Sequence, residues 1–132
     1  MVTVTPDGPL PGLKLIVAAE SAGPWQVVEL CGELDVATAP AVISKVSSLL
    51  VMTSRPRVAL ELSQVAFCDS SGLNAFIRLW KRARAARGEL VLVRPGRRVA
   101  LLLARTGVDA HVRVVDTLDA EPEAGPVGPA PA

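Results

Sequence analysis

The stretch Val65-Ala66-Phe67-Cys68-Asp69-Ser70-Ser71-Gly72-Leu73-Asn74 holds the residues best suited to chemistry in this chain. An apolar run ends in a carboxylate, two hydroxyls and a glycine. That order fits a strand, a tight loop and the start of a helix. Asp69 and Ser70 are residue types that cap helices. First-turn amides have no partner inside a helix, and the positive end of the helix dipole lies there, so an anion could be received. Gly72 lacks a side chain and would let another molecule approach the backbone closely. The same residues also describe an ordinary capped helix, so residue types alone leave both readings open.

Nothing else in the chain assembles a reaction centre. The sole histidine, His111, has no acid or nucleophile placed beside it by local sequence. Asp69-Ser70-Ser71 has no evident base and no Gly-x-Ser-x-Gly elbow. A phosphate-binding loop of the Gly-x-x-x-x-Gly-Lys type is absent. The expectation is a protein that is not an enzyme and carries no cofactor. Cys31 and Cys68 form neither a Cys-x-x-Cys pair nor any metal spacing, so no metal is expected. Both read as small buried hydrophobes in a reducing cytoplasm.

The elements that must position this stretch can be traced along the chain. Residues 13–19 read as a strand, 21–24 as a turn and 25–31 as a second strand, with Gly32-Glu33-Leu34-Asp35 as its extended continuation. Thr38 is a plausible N-cap for a helix with Pro40 in its first turn. Val42, Val46, Leu49 and Leu50 share one face of that helix, which stops before Pro56. From Arg57 to Ser63 the residues alternate, Val58, Leu60 and Leu62 against Ala59 and Glu61, as in a strand; Val65 and Phe67 carry the apolar pattern on through a short loop.

A second helix starts near Ser70 or Ser71. Leu73, Phe76, Ile77, Trp80 and Ala83 lie on one side of it and Arg78, Lys81 and Arg82 on the other, with Gly88 as a left-handed C-cap. A strand at 89–93, a turn at Pro95-Gly96, a helix at 97–105 capped by Gly107 and a strand at 112–115 follow. Residues 117–120 could begin a last helical turn. Strands alternating with helices predict an α/β fold in which helices pack on a sheet. The early strand-turn-strand makes that sheet mixed.

Composition bounds the rest. The chain has 132 residues, half of them hydrophobic, enough for one domain with a real core. Residues 1–12, rich in Pro and Gly, read as a flexible lead-in, 13–119 as the folded domain and 120–132 as a disordered Pro/Gly/Ala-rich tail. Trp25, Phe67, Phe76 and Trp80 are the only aromatics, so stacking platforms for single-stranded nucleic acid are not expected. Net charge is +1, but residues 78–105 hold nine basic side chains against Glu89 alone. Such asymmetry marks either a binding face or a solvated helix surface. Direct nucleic-acid binding through this stretch has no recognised motif behind it. No apolar run approaches the ~18 residues of a membrane span, and no secretory signal is read at the N-terminus. A soluble, cytoplasmic monomer is expected, with no membrane and no nucleic acid as partner.

Asp69-Ser70-Ser71-Gly72-Leu73, after its Ala-Phe-Cys step, resembles the signature of the STAS domain family, specifically the bacterial anti-sigma factor antagonists. Three further segments match in order. Gly32-Glu33-Leu34-Asp35 with Thr38-Ala39-Pro40 is similar to the family's segment before its first helix. Arg87 to Val93 is similar to the strand after its second helix, and Leu101 to Val108 to its third helix and cap. The likeness covers roughly residues 13–118. It implies a STAS-like α/β fold in which the family's longer fourth helix is truncated.

The resemblance also implies a function. Such proteins bind an anti-sigma factor that is itself a serine kinase, and so release a sigma factor. The kinase phosphorylates the serine directly before the glycine, which is Ser71 here, and a serine phosphatase reverses the mark. Ser70 is the alternative acceptor; as an N-cap its hydroxyl would turn toward the helix amides. Asp69 is implied to lie beside the acceptor. Glu33, Asp35, Asp69, Ser70, Gly72 and Asn74 are implied to lie on the partner surface. The basic second helix departs from the acidic or neutral surface common in such antagonists. The alternative role is a STAS-like accessory or scaffold subunit, binding an ATPase or signalling complex without a phospho-switch.

Overall fold

Apolar residues on two neighbouring segments, joined at Gly23-Pro24, pair as an antiparallel hairpin of β2 (Leu15–Ala22) and β3 (Trp25–Leu34). The structure, a computed structural model, describes residues 2–3 and 15–118. Most of the expected lead-in and all of the expected tail therefore lie outside the described residues. Within the lead-in, Val2–Thr3 (β1) is not loose but pairs antiparallel with Ala18 and Ala19. The remaining elements are α1 (Ala39–Leu50), β4 (Arg57–Cys68), α2 (Ser70–Ala85), β5 (Glu89–Val93), α3 (Arg97–Thr106) and β6 (Arg113–Val115). They form a six-stranded sheet in the order β1-β2-β3-β4-β5-β6. The first two pairings are antiparallel and the last three parallel, so the sheet is mixed as its sequence predicts.

Buried side chains of α1, α2 and α3 all enter one cluster with Val28, Leu30, Leu60, Leu62, Leu90 and Leu92, so the three helices cover one face of the sheet. Val42, Val46, Leu49 and Leu50 are buried along α1, as their spacing requires. On α2 the buried stripe is Leu73, Ala75, Phe76, Leu79 and Ala83. Ile77 and Trp80, expected in the core, sit at its margin. Trp80 instead packs its ring 5.9 Å from that of His111 and 5.1 Å from the Arg84 guanidinium. A smaller cluster of Trp25, Ala59, Val91 and Val93, joined by Leu118, lies on the other side of the sheet. There Glu61 is buried, and Arg94 at 2.7 Å and the Ser63 amide at 3.1 Å satisfy its carboxylate. After β6 the described chain bends at Asp116 and Thr117; the expected turn at 117–120 runs past the described residues.

Two expectations are corrected here. The segment from Val65 to Cys68 is strand rather than loop. Pairing of β4 with β3 slips between Glu29 and Cys31 and again between Gly32 and Glu33, each time leaving an extra residue on β4. Such bulges shift the alternation, so a period-two pattern ends in the sequence before the strand ends in space. The second correction is at Gly88, which is not the left-handed residue; Arg87 is, with φ of 60°. Gly88 is needed for room, because a Cβ there would collide with the carbonyl oxygen of Pro56. That oxygen accepts the Glu89 amide at 2.8 Å and opens the β4–β5 ladder. Gly88→Ala is accordingly expected to cost about 1–3 kcal/mol in urea unfolding, since backbone cannot swing aside as a side chain can. Arg87→Gly, which relieves the positive φ, should cost nothing or stabilise slightly. Gly107 does cap α3 in the left-handed conformation, with φ of 79°.

Candidate functional site

Parallel pairing brings the two motif segments together. Glu33 lies opposite Phe67 and Leu34 opposite Cys68 at the C-terminal ends of β3 and β4, and the Asp69 amide donates to the Leu34 carbonyl at 3.2 Å. Gly32 takes φ of 128° beside the second bulge, a conformation that favours glycine. From Leu34 the chain turns into α1. Thr38 is the expected N-cap by position but makes no capping bond. Its buried hydroxyl donates to the Glu33 carbonyl at 2.8 Å and accepts the Asp35 amide at 2.9 Å. Asp35 instead closes the turn that leads into α1, its carboxylate accepting the amides of Ala37 at 2.9 Å and Thr38 at 3.1 Å. The Gly32–Asp35 segment is thus held rigidly beside the start of α2.

Asp69, not Ser70, is the N-cap of α2. Its carboxylate accepts the Ser71 amide at 2.8 Å and the Gly72 amide at 3.4 Å. The first-turn amides expected to await an anion therefore already hold one, supplied by the chain. Ser70 and Ser71 are the first two residues of the helix. Ser70 is exposed and Ser71 half-buried, and neither hydroxyl has a protein hydrogen-bond partner among the described residues. A helix starting at Ser70 leaves both side chains pointing away from the capping bonds. Asn74, one turn on, is exposed and heads the outer face that continues through Arg78.

Gly72 corrects an expectation. It is buried, and a Cβ on it would stand 2.7 Å from both Cys68 Sγ and Leu34 Cγ. Its missing side chain lets the first turn of α2 settle on β3 and β4. The close approach is made by this chain's own core, not by an outside molecule.

Cys31 is likewise exposed rather than buried, because it lies on the sheet face away from the helices. Cys68 is half-buried, and burial, helped by the charge of Asp69, pushes its thiol up to about 11. A raised value keeps the neutral thiol dominant at neutral pH, so Cys68 is a poor nucleophile. With a thiol-reactive dye at pH 8, Cys31 should label rapidly and Cys68 at least tenfold more slowly; equal rates would contradict the burial of Cys68.

Two site residues escape a reading of the sequence. Val36 is 74% exposed and Phe67 48% exposed, both at the end of the sheet that carries Asp69 and Ser71. Large apolar side chains next to a strand read as core by residue type. Only their position, two residues past the end of β3 and one before the end of β4, hints otherwise. Around them stand the carboxylates of Glu33, Asp35 and Asp69. Exposed apolar side chains among charges are how protein-docking surfaces are built. Among the described residues no group of three or more His, Cys, Asp and Glu side chains could hold a metal ion. No helix among them is long and apolar enough to cross a membrane.

Comparison with known proteins agrees with this architecture. An anti-sigma factor antagonist from Mycobacterium paratuberculosis superposes with a TM-score of 0.71 at 24% identity, covering 83% of this chain and 92% of that one. A Thermotoga maritima protein gives 0.67 at 26% identity, with 77% and 87% covered. SpoIIAA, an anti-sigma factor antagonist and Bacillus cell fate determinant, gives 0.64 at 20% identity in its unphosphorylated form, with 74% and 86% covered. Its phosphorylated form gives 0.59 at 19% identity, with 74% and 89% covered. The STAS domain model itself matches residues 16–121, which include β3 to β6, all but the first residue of β2, the three helices and both motif segments. On that match, and on a mixed sheet whose two motif strands end side by side, the chain belongs to the STAS domain family.

Proposed function

We propose that this chain is an anti-sigma factor antagonist: it binds an anti-sigma factor that is a serine kinase, so releasing a sigma factor, and phosphorylation of Ser71 turns it off. The observation that carries this reading is a serine hydroxyl without a protein partner at the second position of α2. It stands next to the Asp69 carboxylate, where the β3 and β4 motif segments converge. Two proteins that share the fold are anti-sigma factor antagonists, and one of them has a phosphorylated form. Val36 and Phe67 supply apolar anchors and Glu33, Asp35 and Asp69 an acidic rim, which suits a partner surface with a basic rim around an apolar centre.

A phosphoryl group adds about −1.5 to −2 charges. With Asp69 already on the first-turn amides, that dianion either stays beside a carboxylate or displaces it. Either way it lies where a partner must exclude water. A serine phosphatase would then restore binding by removing the charge.

Exposure alone favours Ser70 as acceptor, while the order of the motif favours Ser71. The test is to incubate the chain with the anti-sigma factor and ATP and to map the phosphate in wild type, Ser70→Ala and Ser71→Ala. Modification should survive Ser70→Ala and vanish in Ser71→Ala. Phosphate on Ser70 would move the switch by one residue. Tight binding with no phosphorylation at either serine would instead favour an accessory or scaffold role.

A further inference from the structure

The far end of α2 carries a second surface of opposite sign. Ser71 and Ala85 are fourteen residues apart on the helix, about 20 Å at ~1.5 Å per residue. There, between the last turns of α1 and α2, runs a groove of about 370 Å³ lined by Ser47, Leu50, Val51, Arg82, Ala85 and Ala86. Beside it Val51 is 83% and Met52 71% exposed, which with Phe67, Val36 and Leu101 makes them the large apolar side chains most open to solvent among the described residues. Arg82 reaches across the groove to hydrogen-bond the Ser47 hydroxyl, so its guanidinium is held at the rim.

Charge around this groove is one-sided. From Ala39 to Arg55 and from Ser70 to Gly88, which hold α1, α2 and the loops that follow them, every charged side chain is basic, and the acids Asp35 and Asp69 lie at the opposite ends of the two helices. Arg55, Arg78, Lys81, Arg82, Arg84 and Arg87 are all exposed. The next acid, Glu89, is engaged by Arg57 at 3.4 Å and Arg113 at 3.2 Å. A helix face of this kind without one i,i+4 acid is not built for self-pairing. It attracts carboxylates from elsewhere.

We propose that this groove docks an acidic amphipathic helix of a second protein. Apolar side chains of that helix would enter between Leu50, Val51, Ala85 and Ala86, and its flanking carboxylates would meet Arg82, Arg78 one turn before it, and Arg55. The apolar centre is what favours a protein helix over a nucleic-acid backbone, whose phosphates would leave Val51 and Met52 in water. The site is separate from Ser71, and its occupant need not be the kinase.

The test uses the full, isotope-labelled chain and a synthetic amphipathic peptide of about 15 residues. The peptide has leucines at i, i+3, i+4 and i+7 flanked by glutamates; a control carries lysines in their place. The glutamate peptide should shift the backbone NMR signals of Leu50, Val51, Ala85 and Ala86. The lysine peptide should bind at least tenfold more weakly. Arg82→Glu and Ala85→Glu, both exposed, should each lower affinity tenfold or more while signal dispersion shows the fold intact.

Equal binding of the two peptides would overturn the proposal. So would shifts confined to Ser70–Asn74, or a DNA duplex that moves the groove signals at lower concentration than the peptide. Groove signals that move with protein concentration alone would assign it to a second copy. Signals that move in Asp119→Asn/Glu121→Gln/Glu123→Gln would assign it to the chain's own acidic end. Either result would also replace the proposal.

Discussion

Ser71→Glu is expected to weaken binding of the anti-sigma factor by about a hundredfold or more while moving the melting temperature by less than about 4 °C. The two effects separate because they arise in different places. In the free protein the new carboxylate sits in the first turn of α2, where the helix dipole favours it by about 0.3–1 kcal/mol. Asp69, two residues before, repels it by a comparable amount in high dielectric. Ser71 caps nothing, since Asp69 makes the capping bonds, so no hydrogen bond is lost.

In the complex the same charge lies among Val36, Phe67 and three carboxylates, where docking strips its water. Leaving one charge unpaired in a closed interface costs several kcal/mol, and each ~1.4 kcal/mol is tenfold in affinity. Ser71→Ala, which adds no charge, should bind as tightly as wild type and resist inactivation by ATP. Calorimetric titration of the three forms checks this. Affinities for Ser71→Glu within threefold of wild type would remove the electrostatic basis of the switch.

The two phenylalanines should behave oppositely. Phe76→Ala is expected to cost about 3–5 kcal/mol of stability, because the ring is fully buried and its removal leaves a cavity under α2. That is a large part of the ~5–15 kcal/mol typical of a domain, so the variant should be partly unfolded near 37 °C. Phe67→Ala removes a ring that is about half in water, and should cost under about 1 kcal/mol in stability. Its loss should appear in binding instead, as a drop of about tenfold or more in affinity for the anti-sigma factor. Urea unfolding measures the first quantity and titration the second. Parallel losses of stability in both variants would show that Phe67 belongs to the core rather than to a docking surface.

Phe67 and Phe76 also show where a linear reading stops. Their residue type is the same and both fall in apolar patterns, yet the bulge that displaces Ala66 decides that Phe67 faces solvent. Gly72 was legible as a place of close approach, but not the direction: the space it leaves is filled by Leu34 and Cys68. Gly88 read as a helix cap because glycine after a helix usually caps it, whereas here the limiting contact is Pro56, thirty-two residues away. Asp69 and Ser70 were both plausible caps by type, and the hydrogen bonds at 2.8 and 3.4 Å assign the role to Asp69.

What the amino-acid order determined unaided is whatever depends on near neighbours: the three helices and their buried faces, the central strands, the mixed character of the sheet, and the motif of Asp69 to Leu73. Periodicity and capping act over a few residues, so they are written in the order of side chains. Only the folded chain decided that Gly32–Asp35 stands beside Asp69–Ser71, that Val36 and Phe67 are left uncovered, and that the basic face of α2 borders a groove against α1. Those relations come from strand register and helix packing between distant segments, and a shift of one residue in register would turn a different set of side chains outward.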